Sequence, residues 1–305
     1  MKKQSTKYAT INGIKKRLKR IIRSPSIVLI IGLLVLITIT ARYSKSTTFS
    51  LRSRLSIIKS KTSPTSTPTR PLFFDALNGP NRIVTNEFVH WSKGACPYTS
   101  SNWDMTSGTL MIKNGAGYSG IPTAEKSSYC ESEIHNNSAV FRLNTKENNF
   151  GNVTVSVDYM AVQHGGGGAP NNSYDGMHIW LGYQSEYALY AATIYRWDGT
   201  IVLKKKVPEE TAQCDDPSND GCYYNLSDAA NRRSLTTPGV WHHAEVTTEA
   251  LSNKSQHITV TIDNTKVIDA VDNSVHGSTY PVGAVGVRGD NTEFYFKNFM
   301  VNSLD

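Results

Sequence analysis

From Leu72 onward, apolar and polar residues alternate along the chain with a period of two rather than 3.6. Val153, Val155, Val157 and Tyr159 are interleaved with Thr154, Ser156 and Asp158, the pattern of a strand with one buried face. Ile258, Val260 and Ile262 alternate with Thr259 and Thr261, and Asp263-Asn264 then turns the chain into Lys266-Val267-Ile268. The run from Tyr187 to Trp197 is rich in Tyr, Ile and Thr. It ends in Asp198-Gly199 and is followed by Ile201-Val202-Leu203, so two β-prone runs around Asp-Gly predict a hairpin. A last strand pair is predicted from 283–288 and 294–301, around Gly289-Asp290-Asn291. Helical periodicity over eleven or more residues is absent from this part, and the one short candidate, Ser227 to Leu235, stops at Thr-Thr-Pro-Gly. Many strands over about 230 residues predict an all-β sandwich or barrel forming one domain, 72–305.

The opposite pattern stands near the start. Ser26 to Ala41 is a run of sixteen residues without a charge, with basic clusters on both sides and no polar face. As a helix it spans roughly 24 Å against a hydrocarbon core of about 30 Å. It exceeds the ~7–15 apolar residues of a signal-peptide core. The reading is a transmembrane signal anchor at 26–41, with a cleaved signal peptide and a mitochondrial transit peptide as the alternatives. Seven basic residues within twenty positions upstream, against five downstream, favour an inside N-terminus. Residues 42–71 are rich in Ser, Thr and Pro and hold no acid, which reads as a disordered, extended stalk with sites for O-glycosylation. A basic cytoplasmic tail (1–25), an anchor, a stalk and a luminal or extracellular domain make a single-pass type II membrane layout.

Charge changes the picture once it is divided. The chain carries 32 Lys+Arg and 25 Asp+Glu, a net of +7, but residues 1–70 hold 16 of the basic residues and no acid. The remaining 16 basic and 25 acidic residues leave 71–305 at −9, so nucleic acid is excluded as a partner of the folded part on electrostatic grounds. All four cysteines (Cys96, Cys130, Cys214, Cys222) follow the apolar run, as do the sequons at Asn136, Asn152, Asn171, Asn225 and Asn253. Both features favour an oxidising, secretory compartment. Four cysteines allow three pairings; Cys214 with Cys222 is favoured because the segment between them turns easily, leaving Cys96 with Cys130. Four independent buried thiols remain the alternative.

The stretch GAVGVRGDNTEFYFKNFMV at 283–301 resembles the closing strands of concanavalin A-like lectin/glucanase sandwiches, the group that includes laminin G-type modules. The stretch YDGMHIWLGYQSEYALYAATIYRWDGTIVLKKKV at 174–207 resembles the adjoining hairpin of that jelly roll. The resemblance covers roughly 72–305 and is structural rather than catalytic. It implies two curved antiparallel sheets, saccharide commonly bound on the concave face, and structural calcium as a frequent feature, with no cofactor certain.

Within the same hairpin, strand periodicity puts His178, Trp180 and Gln184 on one face, and Ile179, Leu181 and Tyr183 on the other, core-facing side. A Trp beside imidazole and amide groups suits a sugar, which offers apolar C–H faces to a ring and hydroxyls to planar polar groups. Tyr190 and Arg196 join that face if the hairpin register cooperates. The bland alternative is solvated strand residues around a packing Trp. His, Gln, Arg and Tyr are also the inventory of jelly-roll polysaccharide lyases, although no lyase spacing is present. The clustered acids of a retaining glycosidase are absent; Glu131-Ser132-Glu133 comes nearest, and Asp215, Asp216 and Asp220 read as a turn. His242 and His243 are adjacent and on a strand face opposite ways, and Gly165 to Gly168 reads as a flexible loop. Lys204-Lys205-Lys206 reads as a solvated edge, with contact to an acidic glycan as the alternative. The expectation is a membrane-anchored carbohydrate-binding, lectin-like domain. The alternatives are a polysaccharide lyase or glycoside hydrolase on wall or matrix glycans, and a laminin G-like adhesion module.

Overall fold

A computed structural model of the chain describes residues 70–91, 96–123, 138–166, 168, 170–208, 216–218, 221–228, 230–231 and 235–304. These fall within the unit Ser66–Asp305. No helix among the described residues is long and apolar enough to cross a membrane. The predicted anchor at 26–41 lies outside the described residues.

The fold is all-β. In spatial order the first sheet is β17 (Thr265–Asp272), β16 (Gln256–Ile262), β15 (His242–Ala250), β7 (Val153–His164), β19 (Thr292–Ser303), β5 (Ala116–Tyr118), β4 (Thr109–Lys113) and β2 (Arg82–Asn86), with β1 (Phe73–Asp75) also on β19. The second is β12 (Asp216–Ser218), β13 (Gly221–Asn225), β11 (Leu203–Val207), β9 (Ala188–Arg196), β8 (Gly176–Ser185), β18 (Ala284–Asp290), β6 (Val140–Thr145) and β3 (Trp103–Ser107). A small ribbon pairs β10 (Thr200–Ile201) with β14 (Ala230–Asn231), and one short helix, α1, covers Phe88–Trp91. Every pairing in the two sheets is antiparallel.

The period of two decides what each sheet buries. Val153, Val155, Val157 and Tyr159 of β7 and Ile258, Val260 and Ile262 of β16 enter one core with Ile179 and Leu181 of β8, Ile194 of β9 and Val287 of β18. Asp263 and Asn264, both with positive φ, turn β16 into β17 as the sequence predicts. The Asp198-Gly199 turn also forms, with Gly199 at φ 77, but the returning chain first peels off as β10 and reaches β9 only as β11.

Two expectations are corrected. The strands around Gly289-Asp290-Asn291 do not pair: β18 lies in the second sheet and β19 in the first. Asn291 alone links them, at φ 42. Val285 and Val287 share one core with Phe294 and Phe296, so the two strands contribute apolar faces to it from opposite sheets instead of lying edge to edge. Lys204-Lys205-Lys206 is no solvated edge either, because β11 runs between β9 and β13. Lys205 is 0% exposed; its Nζ lies 2.8 Å from Asp272 Oδ2 and donates to Gly277 O, while the Tyr190 hydroxyl donates to the same carboxylate oxygen at 2.7 Å. A lysine so buried is tolerated only because its charge is paired and hydrogen-bonded.

Candidate functional site

The side of the second sheet turned away from the core is set by β8. Ile179 and Leu181 point into the core, while Trp180 packs on the other side with Leu189 and Ala191. The register then shifts: Trp180 stands opposite Gly286, but Tyr183 stands opposite Ala284, so one extra residue is accommodated between them. Gly182 absorbs it at φ 53, where an added Cβ would meet Tyr280 O at 2.3 Å. A bulge inverts the alternation beyond it. Tyr183 therefore joins the Trp180 face and stacks on that indole, with centroids 5.3 Å apart and 11° between planes. Gln184 leaves that face and donates from Nε2 to Val282 O.

This face is concave. Arg288 of β18 donates from its guanidinium to the Tyr223 hydroxyl of β13 at 2.7 Å, although three strands lie between them. On a flat sheet those strands would be about 19 Å apart, so the contact requires the sheet to curl around the face between them. The floor is made of small residues, Gly286, Ala191 and Ala284, paired with or beside Trp180. One wall carries Arg142, which donates to Glu186 at 2.6 Å, and Asn144. The other carries Lys204, Lys206, Tyr223 and Tyr187, with the Lys206 ammonium 5.1 Å from the Tyr223 ring centroid and 5.4 Å from that of Tyr187. Tyr187 is 40% exposed.

The centre of the groove is a charged network. Arg288 Nε donates to Asp290 Oδ1 at 2.8 Å and the guanidinium lies 5.8 Å from the Trp180 ring. Burial pushes the Asp290 carboxyl up, but Arg288 and His178 overcome this and hold it well below the usual carboxylate range. Burial lowers the His178 pKa, and the attraction of Asp290 only partly offsets it, so the imidazole is neutral at pH 7. Its Nε2 lies 3.3 Å from Asp290 Oδ2 and its Nδ1 lies 3.2 Å from the Thr193 hydroxyl. An ionised carboxylate only accepts, so Nε2 carries the proton and Nδ1 receives the Thr193 hydroxyl hydrogen. The one lone pair of neutral His178 is thereby used inside the protein. Burial also raises the Tyr223 phenol, against the pull of Arg288.

Of the residues predicted for the site, His178 and Trp180 share the face, but Trp180 is 0% exposed and forms its floor rather than an open platform. Tyr190 lies opposite Leu181 and is a core residue. Arg196, opposite Gly176 at the end of the same face, is paired with Asp198 at 2.7 Å. Arg142, Tyr183, Tyr187, Tyr223, Arg288 and Asp290 were missed. The alternation of Val285 and Val287 with Arg288 carried the signal for one of them. His242 and His243 do face different partners, Asp263 and Asp158.

Cys222 is buried and disulfide-bonded, Cys96 is exposed, and Cys130 and Cys214 lie outside the described residues. So do Glu131, Ser132, Glu133 and the Asn136 sequon. Asn171, Asn225 and Asn253 are exposed, whereas Asn152 is half-buried; Asn152 Oδ1 accepts from Ala250 N.

No family model and no curated protein matches the sequence. Similar solved structures include the carbohydrate binding module CBM66 from Bacillus subtilis, at 15% identity and TM-score 0.43, covering 68% of this chain and 100% of that one. The Emp46p carbohydrate recognition domain in its metal-free form is 10% identical at TM-score 0.43, over 66% of this chain and 88% of that one. The alginate lyase Aly36B is 10% identical at TM-score 0.37, over 73% and 97%. Likeness at this level does not separate a binding module from an enzyme.

Proposed function

We propose that the folded unit is a concanavalin A-like carbohydrate-binding domain that holds a glycan in the concave groove of the second sheet, and that the chain is tethered by the anchor at 26–41 as a type II membrane protein with the domain outside the cytosol. The observation that carries the binding reading is the groove itself: a curled sheet floored by small residues and Trp180, with Tyr187 and Tyr223 on one wall and the planar Arg142 guanidinium on the other. Rings offer faces to pyranose C–H groups, and a guanidinium offers directional donors to hydroxyls.

A polysaccharide lyase is the second reading, favoured by the Tyr223 hydroxyl, which accepts from Arg288 and keeps its own proton to give. Binding ranks first because a lyase needs a resting base, while the His178 lone pair is engaged by Thr193 and the Tyr223 phenol is raised by burial. A glycan-array screen of the full chain tests the proposal, followed by incubation of each hit and measurement of absorbance near ~232 nm, where an unsaturated uronate product absorbs. Hits that lose about 0.5–1.5 kcal/mol of affinity in Tyr187→Ala support the groove. Hits that bind equally well to Tyr187→Ala and Arg142→Ala move the site elsewhere, and a growing 232 nm signal makes the chain a lyase.

A further inference from the structure

Where the chain crosses from the second sheet to the first, three oxygen-bearing groups converge on one side-chain amide. Asn291 Nδ2 lies 3.1 Å from Pro170 O, 3.3 Å from Asn171 Oδ1 and 3.2 Å from Asp175 Oδ2. An amide nitrogen has two hydrogens, so three oxygens around it are one more than it can serve. Asn291 is only 6% exposed, and its own Oδ1 is buried without a hydrogen-bond partner. The geometry around it is built rather than incidental. Asn291 holds positive φ with its N–H donating to Ala139 O at 2.7 Å and its carbonyl accepting from Gly165 N at 2.8 Å. Gly165, at φ 68, leaves the space for Asn171: a Cβ there would meet Asn171 Oδ1 at 2.2 Å. Asp175 Oδ2 is oriented by the Asn172 N–H at 3.0 Å and by His164 Nε2 at 2.8 Å, and the His164 ring stacks on Trp197.

We infer that this corner is a site for a hard divalent cation, with calcium the ion it fits best. Exchanging the two ends of the Asn291 amide costs it the bonds of Nδ2 and aims the unpartnered Oδ1 at the same point. Pro170 O, Asn171 Oδ1, Asp175 and Asn291 Oδ1 are then four oxygens around one position, the donor class that calcium takes at about 2.3–2.6 Å, with water completing six to eight. His164, donating to the carboxylate from outside, fixes its orientation. Magnesium fits less well, since it demands near-octahedral geometry at about 2.0–2.1 Å. A single carboxylate among carbonyl and amide oxygens places the affinity in the weak range, with a dissociation constant on the order of 10⁻⁴–10⁻³ M. No group of three or more His, Cys, Asp or Glu side chains that could hold a metal occurs among the described residues. The donors here are mostly amide and carbonyl oxygens, which such a cluster does not describe. Structural calcium, implied for the fold by resemblance alone, came with no residues; those named here are read from the structure. The inference stands apart from the groove and survives the loss of the glycan reading.

The test is thermal unfolding of the full chain in chelator, calcium and magnesium, with Asp175→Asn and Asn291→Asp alongside. Calcium at about tenfold over its dissociation constant should raise the melting temperature of the native chain by roughly 3–6 °C, and magnesium by less. Asp175→Asn should abolish the rise. Asn291→Asp keeps the shape and tolerates positive φ, but in chelator it sets two carboxylates against each other. It should therefore melt below the native chain without calcium and show a larger calcium rise than the native chain with it. A purely structural amide predicts the opposite: Asn291→Asp destabilised and not restored by calcium. That result, or the absence of any calcium rise in the native chain, overturns the inference. An equal response in Asp175→Asn would place the ion elsewhere and overturn it too.

Discussion

Gly182 is where the shape of the groove is most open to a single change. Its φ of 53 is unfavourable for any side chain, and a Cβ would stand 2.3 Å from Tyr280 O and 2.9 Å from Tyr280 Cβ. Gly115 is a matched control, with φ 74 and nothing within 4 Å of the place a Cβ would take. Gly115→Ala should thus carry the conformational cost alone, about 1–2 kcal/mol. Gly182→Ala carries that cost and must also move the backbone of Tyr280, whose N–H is held by the Tyr190 hydroxyl in the buried Lys205 cluster. An overpacked position typically adds about 1–3 kcal/mol, so roughly 2–5 kcal/mol is expected. Urea unfolding measures both, and near-ultraviolet circular dichroism reports the Tyr183–Trp180 stack, which the shifted bulge should disturb only in Gly182→Ala. Equal losses in the two variants, or an unaltered aromatic spectrum in Gly182→Ala, would refute the claim that this glycine sets the phase of β8.

Three further outcomes follow from burial and charge. Ile179→Ala and Trp180→Ala should both destabilise, by about 2–5 and 3–5 kcal/mol in chemical denaturation, because each side chain is fully buried on its own face of β8; a native-like Trp180→Ala would return that ring to the surface. Asp272→Ala should cost about 3–5 kcal/mol by stranding Lys205, whereas the double change Lys205→Met with Asp272→Leu should cost much less. The His178 pKa is lowered in the folded chain, so neutral His178 contributes stability that is complete above the unfolded value of about 6.5 and is lost as pH falls below it toward the folded value. Stability measured between pH 7 and 5 should therefore fall less steeply in His178→Gln than in the native chain. Asp290, whose folded pKa is depressed, adds its own loss only below the ordinary carboxylate range near about pH 4.

The strands were legible because burial imposes the period directly. Every apolar position read from the alternation of β7 and β16 enters the core, and the Asp263-Asn264 turn follows from residues that tolerate positive φ. Pairing was less legible, since alternation says which face is buried and not which neighbour a strand takes. Two strands joined by Gly289-Asp290-Asn291 look like a hairpin, yet they lie in opposite sheets and bury their apolar faces in one shared core. The lysine run misled for a related reason: three charges in a row suggest an edge, but Asp272, a long way off in sequence, neutralises the inward one.

The candidate site shows the limit of local reading more sharply. Arg142, Arg288 and His178 are cross-strand neighbours on three adjacent strands, and Tyr223 reaches Arg288 only because the sheet curls; no window of ten residues reports either. Local alternation placed His178 and Trp180 correctly, then failed at Gly182, where one residue with positive φ exchanges Tyr183 for Gln184. A glycine inside an otherwise regular strand is itself a sign of a bulge or a close backbone approach, and here it is both. Had the phase been reversed at that glycine, Tyr183 would have been assigned beside Trp180 and Gln184 away from it. The aromatic floor then follows from the sequence of β8, while the charged walls follow only from the fold. Recognition of a ligand by this groove is consequently expected to be lost by two routes that can be told apart: through the floor with loss of stability, as in Gly182→Ala, and through the walls without it, as in Tyr187→Ala.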